Sequence, residues 1–186
     1  MKDGMVKMTL IDDAPLRRTA RRFELGFQAA SLLMVALAGG VVVATLVGTA
    51  ATGAWLASLT GHAIEPQPWQ SFALAAVACF GLGLYAATFS AARAVSRILA
   101  RAELAAAGQA ARTLSRWVWA VLVWSIIAHT LAVLIATAHA GPGQRALSIA
   151  IGSPQVSLAL AALMAAFLAQ ALTLVAALWE DHKEIV

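Results

Sequence analysis

Arg93, Arg97 and Arg101 recur at every fourth position, and Arg17, Arg18, Arg21 and Arg22 crowd together just ahead of the first long apolar stretch. Carried on one uninterrupted helix, the first three would form a single basic stripe projecting about 15 Å from a bilayer surface. With the second cluster they would make a positive collar. Such a collar can fix topology and attract anionic lipid headgroups, at roughly 1 kcal/mol for each cation. It can also dock a cytoplasmic partner that presents acidic groups. Direct nucleic-acid binding is not expected, because no zinc module or reading-helix arrangement accompanies the charges.

His129, flanked by Ser125 and Thr130, falls near the middle of the third apolar stretch and is one of very few titratable groups at that depth, with Cys79. A neutral imidazole hydrogen-bonded to another helix, with Gln170 as its partner, accounts for it without any functional role. The functional alternative is a passive path for a weakly polar solute, lined by His129, Gln170 and Ser125. None of the apolar stretches holds Asp, Glu, Lys or Arg. Ion-coupled transporters and proton pumps usually carry such a group within the membrane, so those classes are disfavoured. A bis-histidine haem is disfavoured as well, since His139 lies ten residues further along the same stretch and His62 in a connecting segment. There is no Gly-x-Ser-x-Gly elbow, His-Glu-x-x-His pair, phosphate loop or Cys-x-x-Cys, so neither an enzyme nor a cofactor is expected. Cys79 is the single cysteine, which excludes an intrachain disulfide and a cysteine-based metal cluster.

The elements that would position these residues follow from composition. Of 186 residues, 61% are apolar and 12% charged, about half the charge of a soluble domain. A bilayer accepts that excess helix by helix, whereas a soluble chain of this size has no core large enough for it. Four uncharged stretches, 25–64, 66–92, 117–144 and 146–179, each exceed the roughly 20 residues that cross a hydrocarbon core. Pro66 and Pro68, Gly141-Pro142-Gly143 and Ser153-Pro154 punctuate them. The expected fold class is an all-α membrane protein with four transmembrane helices near 28–55, 68–91, 117–139 and 154–179. The first stretch reads as one helix, and the lack of interior prolines predicts plain straight spans. Residues 1–24 form a basic tail, 25–179 the transmembrane domain with a loop at 92–116, and 180–186 a short tail; no separate soluble domain is expected.

Twelve Lys and Arg fall in the N-terminal tail, the central loop and the C-terminal tail, against Arg145 alone on the other side. The positive-inside rule therefore places both termini and the central loop in the cytoplasm. Trp55, Trp69, Trp117, Trp119 and Trp179 fall near the span ends, where an indole can keep its ring in lipid and its N–H among headgroups. A cleaved signal peptide is the competing reading of the first span. Its apolar stretch is much longer than a signal's core, and a polar leader of 24 residues precedes it.

Helices in lipid associate through small residues that let backbones approach. Ala36, Gly40, Ala44, Gly48 and Thr52 form an every-fourth stripe on the first span, with Gly40, Ala44 and Gly48 its centre. Ala75, Cys79, Gly83 and Ala87 form another, and Ala128, Ala132, Ala136 and Ala140 a third that an Ala-rich chain could produce by accident. The first stripe could hold the helices together or mediate a homo-oligomer. Residues 145–152 alternate large and small apolar residues, as a strand or interfacial ribbon would.

Phe89-Ser90 followed by Arg93 and Arg97, Leu147-Ser148-Ile149 leading to Ser153, and the acidic close from Glu180 to Val186 resemble the bacterial membrane family known as domain of unknown function 2975. The resemblance spans residues 23–186 and departs from the family at Asp181-His182-Lys183, where another acid and an Asn are usual. It implies four spans, a bacterial inner membrane and a pairing with small helix-turn-helix regulators, and it carries over no catalytic residues. The function expected is therefore non-enzymatic: binding of a regulatory or structural partner through the basic cytoplasmic face.

Overall fold

The structure is a computed structural model that describes residues 14–61, 66–101, 104–139 and 152–184. Every element it contains is helical: α1 (Ala14–Val47), α2 (Thr49–Ser58), α3 (Pro68–Ala100), α4 (Leu104–Thr137) and α5 (Ser153–Glu184). α1, α3, α4 and α5 are long and apolar enough to cross a membrane, the pattern of a multi-pass membrane protein. The ribbon expected at 145–152 lies, apart from Gly152, outside the described residues.

The first span is not the single straight helix expected across 28–55. It breaks at Gly48, whose backbone (φ −139, ψ 64) leaves the helical region before α2 begins. Glycine costs about 1 kcal/mol relative to alanine inside a helix, which lowers the barrier to a break there. Breaking a helix within an apolar segment orphans carbonyls that lipid cannot satisfy. Threonine hydroxyls supply extra donors there: Thr49 Oγ1 donates to the Thr45 carbonyl at 2.8 Å, and Thr52 Oγ1 gives the Ala44 carbonyl a second bond at 2.9 Å beside the one it keeps from the Gly48 N–H.

The segment expected as a loop at 92–116 is helical for most of its length. α3 continues to Ala100 and α4 starts at Leu104, because Ala, Arg and Leu propagate a helix regardless of whether lipid surrounds it. Apolarity marks where a membrane ends, not where a helix does. The same holds at the C-terminus, where α5 runs through most of the expected tail.

The helices pack in chain order: α1 on α3, α3 on α4 and α4 on α5, with α2 lying across α3 and touching α4. Among the described residues α1 meets neither α4 nor α5, so the layout is an open row and not a closed ring. One core joins Leu56 and Ala57 of α2, Leu74 and Ala75 of α3 and Ala136 of α4; a second joins Val95, Ala111 and Ala169 at the other end. Gln70, almost fully buried, ties the first end together. Its Oε1 accepts the Gln67 N–H at the start of α3 (2.7 Å), and its Nε2 donates to the Ile135 carbonyl in the last turn of α4 (2.7 Å).

Among the described residues, the stripe expected to pack at Gly40, Ala44 and Gly48 does not lie against another helix at Gly40 and Ala44. Gly40 and Ala44 are exposed, and a Cβ on Gly40 would meet nothing within 4 Å. α1 instead turns Ser31, Ala38 and Thr45 towards α3: Ser31 Oγ lies 3.1 Å from Ser90 Oγ and donates to the Ala86 carbonyl at 3.2 Å, and Cys79 Sγ donates to the Ala38 carbonyl at 3.6 Å. The glycines that do permit close approach are Gly53, against Ser71 and Pro66; Gly81, 3.0 Å from Trp124 Nε1; and Gly108, 2.9 Å from Thr173 Oγ1, both distances measured from where a Cβ would stand.

Candidate anion-binding cleft

α1 and α3 are antiparallel, and the Ser31–Ser90 and Ala38–Cys79 contacts set their register. That register brings the N-terminal turns of α1 level with the last turns of α3. Glu24 then falls against Arg97, whose Nε donates to Glu24 Oε1 at 3.0 Å while Nη2 of the same guanidinium lies 3.0 Å from that oxygen. Arg93 approaches the same oxygen with its Nε at 3.5 Å. That nitrogen is buried and too poorly aligned to form a hydrogen bond. One helical turn deeper, Phe27 stacks between Phe23 (6.2 Å) and Phe89 (6.5 Å).

Glu24 belongs to no basic stripe, so the spacing of the arginines does not point to it. A signal for it exists in the sequence: it is the lone acid between Asp13 and Glu65, one residue before the uncharged stretch begins. Outside that stretch, the hydrogen bond from Arg97 holds the Glu24 carboxyl below its ordinary carboxylate value; desolvation opposes this, and the charges of Arg97 and Arg93 add to it. The carboxylate is thus the charged latch of a three-residue clamp between α1 and α3.

Around this clamp lies a cleft of about 510 Å³ lined by Arg18, Arg21, Glu24, Arg97, Ala100 and Arg101. Four of the predicted arginines therefore converge on one site. Arg97 is committed to Glu24, whereas Arg18, Arg21 and Arg101 make no ion pair among the described residues. Arg93 belongs to the clamp and does not line the cleft, Arg22 is exposed outside it, and the Arg17 side chain lies outside the described residues. Guanidinium groups offer forked donors matched to carboxylate and phosphate oxygens, so the arrangement is chemically suited to an anion.

The predicted intramembrane trio is divided. Ser125 and His129 line one cavity between α2, α3 and α4, and Ser125 Oγ donates to the Leu122 carbonyl at 2.8 Å. Gln170 is exposed on α5 and does not line that cavity, so it cannot be the partner of His129 expected from sequence. Trp55, Trp69, Trp117 and Trp119 are exposed, as interfacial indoles should be, while the Trp179 side chain lies outside the described residues. Compared with known protein families, with characterised proteins and with solved structures, the chain matches none.

Proposed function

We propose that this chain is a non-enzymatic inner-membrane protein of bacteria that holds an acidic cytoplasmic partner in the cleft between α1 and α3. The observation that carries this reading is the convergence of Arg18, Arg21, Arg97 and Arg101 on one cavity, where Glu24 is the one acid among the described residues that line it. Twelve Lys and Arg against one across the spans support a cytoplasmic position for that cleft. The family resemblance makes a small helix-turn-helix regulator the partner to look for. Anionic lipid headgroups compete for the same arginines, at roughly 1 kcal/mol each, and would share the cleft's rim.

Arg93 and Arg97 brace α1 against α3, so removing them confounds binding with packing. The discriminating variant is Arg18→Gln/Arg21→Gln/Arg101→Gln, which leaves the Glu24 clamp intact. Crosslinked pull-downs from cells should lose the partner with this triple variant and keep it with Arg22→Gln, which lies outside the cleft. Equal recovery from both would remove the cleft from consideration. A passive channel is the weaker reading, because one of its three expected lining residues, Gln170, stands apart from the other two.

A further inference from the structure

The break at Gly48 has a by-product at membrane depth. It lays α2 across α3 and α4, and Trp55 and Leu56 of α2, with Leu59 just beyond its end, become one wall of a cavity of about 410 Å³ whose other walls are α3 and α4, with Val41 of α1 at its edge. The volume is within the range of pockets that hold small organic ligands, about 300–1,000 Å³. On α4 the lining runs from Val121 to Ala132, so at 1.5 Å per residue the cavity is a slot about 16 Å long, open along one side.

Its chemistry is uneven. Most of the lining is aliphatic, but Tyr85, Trp124, Ser125 and His129 also contribute to it. Trp124 is wedged between Gly81 and the ring of Phe80, whose centroid is 4.4 Å from its own. The Ser125 hydroxyl donates to the backbone and keeps lone pairs to accept with. Neither the Tyr85 hydroxyl nor the His129 imidazole has a hydrogen-bond partner among the described residues. In a low-dielectric site, polar groups left without partners are costly, and an aliphatic lipid tail offers them none. The Gln70–Ile135 and Gly81–Trp124 contacts fix the antiparallel register of α3 and α4. That register puts Tyr85 level with about residue 120, so the two unpartnered groups are about 13 Å apart along the slot.

We propose that this slot binds a lipid-soluble ring compound carrying hydrogen-bond-accepting oxygens and a short apolar tail, which enters from the bilayer. The imidazole N–H of His129 donates to a ring oxygen, the Trp124 indole packs against the ring, and the tail follows the aliphatic walls. This site is separate from the arginine cleft and stands whether or not that cleft binds a partner.

The test uses the full chain in nanodiscs, with the thermal unfolding midpoint followed against added decylubiquinone and, separately, dodecylbenzene, which has a ring and a tail but no oxygen. The native protein should show a saturable rise with decylubiquinone and an apparent affinity for dodecylbenzene roughly tenfold weaker. His129→Leu should lower the decylubiquinone affinity to the level of dodecylbenzene and leave the latter unchanged. Ala128→Phe, with folding checked by circular dichroism and elution volume, should weaken both by obstructing the slot. Equal affinity for the two probes in the native protein, or a His129→Leu chain that binds decylubiquinone as the native one does, would overturn the proposal and leave the slot as a space filled by lipid tails.

Discussion

At the residue scale, Glu24 changes what the arginines mean. Read as a stripe, Arg93, Arg97 and Arg101 are equivalent; around Glu24 they divide into Arg93, which only braces the helices, Arg97, which braces them and lines the cleft, and Arg101, which lines the cleft without an ion pair among the described residues. Ser31 and Ser90 provide a reporter of this brace, because their hydroxyls are 3.1 Å apart and cysteine is nearly isosteric with serine. In a Cys79→Ser background, Ser31→Cys/Ser90→Cys should oxidise readily to a disulfide. Adding Glu24→Arg should slow that oxidation several-fold by setting three like charges together, and Arg97→Glu on top of it should restore the rate. A rate indifferent to Glu24→Arg would mean the ion pairs do not contribute to helix contact, as many exposed pairs do not. The basic residues were legible in the sequence because charge in an apolar chain is conspicuous. Their division was not, since it depends on which single carboxylate the register of α1 on α3 brings opposite them.

At the element scale, close helix approach is set by three glycines that sequence spacing does not single out. A Cβ on Gly53 would overlap the Ser71 hydroxyl and come within 2.8 Å of Pro66 Cγ, whereas one on Gly40 would stand in open space. Gly53→Ala should therefore cost about 1–3 kcal/mol through overpacking. Gly40→Ala should be neutral or gain up to about 1 kcal/mol from helix propensity. Reversible unfolding in mixed micelles compares the two directly, and a Gly40→Ala chain destabilised as much as Gly53→Ala would show that the outward stripe packs against something, a second copy being the first to test. The every-fourth pattern on α1 does not name its own contact: among the described residues Gly40 and Ala44 face outward, which leaves a second copy as the contact to test. Periodicity identifies a face without saying what lies opposite it, and here α3 took the face bearing Ser31, Ala38 and Thr45. The break at Gly48 was hidden for a related reason: glycine permits a helix to end without requiring it, and the hydroxyls of Thr49 and Thr52, which supply donors to the Thr45 and Ala44 carbonyls beside it, take those partners only in the folded chain.

At the scale of the whole molecule, four spans were legible because hydrophobic thickness imposes a length that composition records directly. Orientation rests on charge bias, and fusion reporters test it. A fluorescent protein joined after Val186 should glow and alkaline phosphatase at the same point should stay inactive, while phosphatase inserted between α2 and α3 should be active. The reverse pattern would place the arginine cleft outside the cytoplasm and end the proposed partner reading. The order of helices was not legible, because nothing in an apolar stripe names its neighbour. That order has a consequence for biogenesis. Since each span lies against the one made just before it, a helix leaving the ribosome and entering the bilayer finds its neighbour already in place. No earlier pairing has to be undone to admit a later one, and nearly all inter-span contacts form between spans that follow one another in the chain, which keeps exposure to misassociation brief.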